Sequence, residues 1–70
     1  MMTAEAYNPS EWLTQEQVAA QLGVPIKIVW EKVRTLGPAG AIRTRQNPFD
    51  RRQTLVHKDD TAVIQRAIFG

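Results

Sequence analysis

The sequence has no cysteine and a single histidine, His57, and each shortage closes off a class of chemistry. Without cysteine there is neither a disulfide framework nor a thiolate metal site, and one imidazole is too few for a histidine-based zinc centre. Serine is as scarce: Ser10 is the only one, in a stretch with no helical or strand period. No histidine-supported nucleophile and no glycine-rich phosphate loop is visible, so neither catalysis nor a cofactor or metal is expected. Long apolar runs are missing too; none approaches the ~20 residues of a membrane helix. The opening residues MMTAEAYNPSE are acidic and lack the basic and apolar regions of a signal peptide. The expectation is a cytoplasmic protein in a reducing compartment.

What is present is enough for one small domain. Seventy residues, 43% hydrophobic and 23% charged, have the make-up of a globular chain. At this size a single core only just outweighs chain entropy. Net charge is only +2, but it is unevenly placed. Residues 25–58 hold Lys27, Lys32, Arg34, Arg43, Arg45, Arg51, Arg52 and Lys58 against Glu31 and Asp50, a local +6. Residues 1–24 carry Glu5, Glu11 and Glu16 and no base. A basic middle between acidic flanks implies a face for a polyanion.

Along the chain, residues 1–11 read as a flexible lead and residues 12–70 as the folded domain. Thr14 and Gln17 have capping-box spacing, and Leu13 and Val18 that of a hydrophobic staple. A first helix is therefore expected from Gln15 to Leu22, burying Val18, Ala19 and Leu22. Gly23-Val24-Pro25 makes a three-residue turn, with Pro25 placed as the first residue of a second helix. In that helix Ile26, Val29, Val33 and Leu36 form one apolar stripe, and Lys27, Trp30, Glu31 and Arg34 form another face. Two short helices at this spacing are the sequence form of a helix-turn-helix, whose second helix lies in a DNA major groove. After Gly37-Pro38 the period changes. Ala41–Arg45 and Arg52–His57 read as two strands joined at Asn47-Pro48-Phe49-Asp50. Leu55 and Val56 are both apolar, which leaves the buried face of the second strand open. Asp59 or Asp60 then caps a last helix with Val63, Ile64, Ala67 and Ile68 on its apolar side.

The segments LTQEQVAAQLGVP with IVWEKVR, the basic hairpin RTRQNPFDRRQTLV, and KDDTAVIQRAI resemble the MerR-type DNA-binding domain. They are most similar to its minimal phage form, the excisionases or recombination directionality factors. The resemblance spans roughly residues 12–68 and is sharpest from Leu13 to Pro25. The chain departs from it at Pro25, where a serine or threonine is usual, at Lys32, often aromatic, and at Thr61, usually apolar. It implies a mainly α fold with a small β-hairpin, a winged helix-turn-helix made of helix-turn-helix, two-stranded wing and C-terminal helix. It also implies a DNA-contacting set: Lys27, Trp30, Glu31 and Arg34 in the groove, and Arg43, Arg45, Arg51 and Arg52 on the wing. Its further implications are double-stranded DNA and an integrase or other recombination protein as partners, with cooperative self-association on DNA.

Several readings stay open. Trp30 is equally a DNA contact or half-buried structure, and His57 a strand-end residue within reach of phosphate. The same residues suit a small repressor or a DNA-packaging domain. The apolar surface around Ile28 and Trp30 suits a winged-helix protein-interaction module such as an antirepressor.

Overall fold

A computed structural model describes residues 8–70 of the chain. Three helices pack on a three-stranded antiparallel sheet, in the order β1 (Trp12–Leu13), α1 (Gln15–Leu22), α2 (Ile26–Leu36), β2 (Thr44–Asn47), β3 (Asp50–His57) and α3 (Thr61–Phe69). Strand order in the sheet is β1-β3-β2. Among the described residues no helix is long and apolar enough to cross a membrane.

The first helix begins where its sequence dictates. The Thr14 hydroxyl accepts the Gln17 N–H at 3.0 Å, and the Gln17 side chain accepts the Thr14 N–H at 2.8 Å. Gly23 ends the helix at φ +70°, and the Ala19 carbonyl accepts the N–H groups of both Gly23 and Val24. Only glycine enters this left-handed region without a steric penalty. Pro25, expected inside α2, instead stands one residue before it: its ψ of 144° is extended, and its carbonyl accepts the Ile28 N–H.

The sheet differs from the expected two-stranded hairpin. Trp12 and Leu13 pair with His57 and Val56 and add a third strand. The expected lead, residues 1–11, falls largely outside the described residues. Its last part, Asn8 to Glu11, is a turn whose Glu11 carbonyl accepts the Lys58 N–H at 2.9 Å. Strand β2 starts three residues later than its composition suggests, because the amides before it are engaged elsewhere. The Ala41 N–H donates to the Leu36 carbonyl, and the Arg43 N–H to Asp60.

Val18, Ala19, Val29, Val33, Ile42, Val56 and Ile64 form the core between helices and sheet, with Leu13, Leu22, Ile26, Leu36 and Ile68 around it. Leu55 is equally buried but lies outside this cluster, on the opposite face of the sheet beside its partner Arg45. The strand therefore buries both faces at its end, which is why neither apolar residue decided the face in sequence. Full burial of such an aliphatic side chain stabilises by roughly 1.5–3 kcal/mol, so a core this small leaves little margin.

Two expectations for α3 need correction. Of its expected apolar face only Ile64 is buried; Ile68 is half-buried, and Val63 and Ala67 are exposed. Asp60 occupies the N-cap position, yet its side chain makes no capping bond because Arg43 holds it. Capping falls to His57, whose Nδ1 accepts the Asp59 N–H at 3.2 Å at the head of the 3-10 turn Lys58–Asp60.

Candidate nucleic-acid interface

The solvent-facing stripe of α2 has the residues its period assigns to it. Lys27, Trp30, Glu31 and Arg34 are all exposed, while Val29 and Val33 on the opposite side are buried. Trp30 is 47% exposed, so it is not a core residue. A tryptophan left this open loses hydrophobic burial that the domain could have used.

Trp30 and Arg34 form one wall of a continuous groove, and Arg52 and Thr54 of β3 form the other. Gln15, from the first turn of α1, joins the two walls. Its Nε2 donates to the Thr54 carbonyl at 3.1 Å, while its Oε1 is buried without a hydrogen-bond partner. The groove thus presents an indole, two guanidinium groups, a hydroxyl and an amide along one side of the molecule. Glu31 lines a second depression instead, with Lys32, Thr35 and Ala67 of α3, and Arg34 borders both.

The four expected wing arginines separate. Arg43 lies before β2 and is tied to Asp60: its backbone N–H and Nε donate to Oδ2 at 2.6 and 3.1 Å, and a terminal nitrogen donates to Oδ1 at 3.1 Å. These bonds hold the Asp60 carboxyl below the usual carboxylate range, the guanidinium contact contributing most. Arg43 is thereby tied into the fold, although its side chain remains 59% exposed. Arg45 is directed to the sheet face away from the helices, where its guanidinium carbon is 5.8 Å from the Trp12 ring centroid. The same ring meets His57 edge-on at 5.1 Å, which gives His57 a structural setting. Arg51 is exposed, and its carbonyl accepts the Gln46 side chain.

Arg52 alone of the four faces the α2 groove. Its Nε donates to Asp50 at 3.3 Å, but its side chain is 92% exposed. An ion pair so open to water constrains the guanidinium weakly. Asp50 is held below its ordinary pKa, chiefly by the Arg52 backbone N–H and then by the guanidinium.

Sequence reasoning missed Gln15 and Thr54, neutral residues that no charge or period singles out. It also passed over Phe49, which the hairpin turn exposes to 85%. Among the described residues no group of three histidine, cysteine or acidic side chains is placed to hold a metal. Comparison with known proteins gives no match: no family model, curated protein or solved structure aligns with this chain.

Proposed function

We propose that this chain is a small winged helix-turn-helix protein that binds double-stranded DNA. In this reading α2 enters the major groove and the β2–β3 hairpin lies over the neighbouring backbone or minor groove. The observation that carries it is the common groove of Trp30 and Arg34 with Arg52 and Thr54. Guanidinium groups on both walls suit a ridge of phosphates between them, and the exposed indole offers a stacking surface to sugar or base. The local +6 over residues 25–58 supplies the field that draws such a polyanion in.

A single domain of this kind covers on the order of 600–1,000 Å², too little for tight binding alone. Copies on adjacent sites solve this, and the resemblance to excisionases favours that arrangement. The protein then acts as a directionality factor that bends DNA and biases an integrase. A repressor or packaging domain would use the same surface with a different layout of sites.

The test is a titration of multi-site and random duplexes at several salt concentrations. Cooperative shifts on the multi-site DNA are expected, with log affinity falling against log salt at a slope of roughly −3 to −5, for about that many phosphates. Equal affinity for random and selected duplexes at physiological salt sinks specific recognition. One stoichiometric protein partner, with no salt-sensitive DNA shift, establishes the interaction-module reading instead.

A further inference from the structure

Phe49 is the most exposed large apolar residue described, and it stands at the turn of the hairpin. The turn that presents it is tied down. The Asn47 side-chain oxygen accepts the Phe49 N–H at 2.8 Å, and its nitrogen donates to Gln53 at 2.8 Å. On the other side Asp50 accepts the Arg52 N–H at 3.0 Å. Pro48, preceding Phe49, has a fixed φ. Register is also broken here: Asn47 pairs with Asp50 but Gln46 with Thr54, so Arg51, Arg52 and Gln53 bulge from the ladder just behind the tip. A bulge of this kind re-aims a hairpin end, and both arginines in it, Arg51 and Arg52, are exposed.

An aromatic ring on a braced turn, followed in the chain by two exposed arginines, has the make-up of a wedge. Such apolar wedges enter between base pairs from the minor groove, partly unstack them and kink the duplex, while arginines hold the flanking phosphates. We infer that Phe49 is a DNA-unstacking residue, inserted at a flexible pyrimidine–purine step, TpA above all, in an A·T-rich minor groove. The inference rests on the duplex-binding reading and adds to it the step that is recognised and the means of bending. TpA steps yield most easily because their stacking is weak, so the wedge contributes sequence preference with no hydrogen bond to a base.

The experiment uses the full chain and a 40-base-pair A·T-rich duplex containing TpA steps, with 2-aminopurine replacing the adenine of one of them. Wild type is expected to raise the 2-aminopurine fluorescence on binding, and Phe49→Leu to keep part of the rise. Phe49→Ala and Phe49→Lys are expected to bind with no rise, Phe49→Ala with about tenfold lower affinity and an unchanged salt slope. Unchanged melting curves show that the variants fold. Three results overturn the wedge and can be told apart. Absence of any duplex shift by wild type removes the DNA reading with it. A shift without a fluorescence rise, or a full rise with Phe49→Ala, removes the wedge alone. Self-association in sedimentation without DNA, lost in Phe49→Ala, assigns the ring to a contact between copies.

Discussion

The Asp60 carboxylate receives three N–H groups from Arg43, a residue seventeen positions before it. One backbone amide and one guanidinium therefore fasten the entry to β2 against the start of α3. The His57 N–H adds to the joint by donating to the Arg43 carbonyl at 3.1 Å. An arginine that sequence alone places on a DNA-binding wing is thus bonded to the start of α3.

Asp60→Asn is expected to destabilise the fold by about 1–2 kcal/mol, since charge-assisted bonds are lost but the Arg43 side chain is 59% exposed and screened. The sign of the pH dependence follows from the lowered carboxyl. A pKa depressed below its ordinary 3.8 stabilises the fold fully above that value and ceases to do so as pH falls through the folded value. Thermal melts between pH 7 and 2 should show a smaller acid loss in Asp60→Asn than in wild type. Parallel curves would mean that the pair contributes nothing.

The arginines are expected to divide into two functional groups. Arg34→Ala and Arg52→Ala should each weaken duplex binding roughly five- to tenfold and reduce the salt slope by about 1, with melting unchanged. Arg43→Ala should lower the melting temperature and leave the slope alone. Arg45→Ala should have little effect on affinity. A loss with Arg45→Ala as large as that with Arg52→Ala would place the DNA on the other face of the sheet.

At the turn between α1 and α2, Gly23→Ala should cost about 1–2 kcal/mol. An added Cβ there meets no atom within 4 Å, so the penalty arises from the positive φ alone. Gly23→Asn should recover part of it, because asparagine tolerates the left-handed region. Denaturant unfolding of the three proteins decides this; equal losses for Ala and Asn point to a steric cause.

The parts legible in sequence were those fixed by local interactions. The Thr14–Gln17 box and the Gly23 turn set α1 with partners three to five residues apart, and the period of α2 separates Val29 and Val33 from Trp30 and Arg34. What was not legible depends on distant partners. Strand β1 has two residues, too few for any alternation, and it exists only because β3 offers an edge. Arg43 and Asp60 looked like a wing cation and a helix cap, the roles each has in its own neighbourhood; their meeting outweighs both. The division of Arg45 from Arg52 depends on strand register and a bulge, which composition does not encode.

The two residues of β1 also act as a register key. Leu13 points into the helical core, and Trp12 to the other side, over Arg45 and His57. A slip of one residue would exchange them, pressing an indole into a space shaped for leucine and leaving Arg45 and His57 without the neighbouring ring. Because Thr14 follows at once and caps α1, the key cannot shift without pulling the helix out of phase. The shortest of the described strands therefore ties the start of α1 to one register on β3.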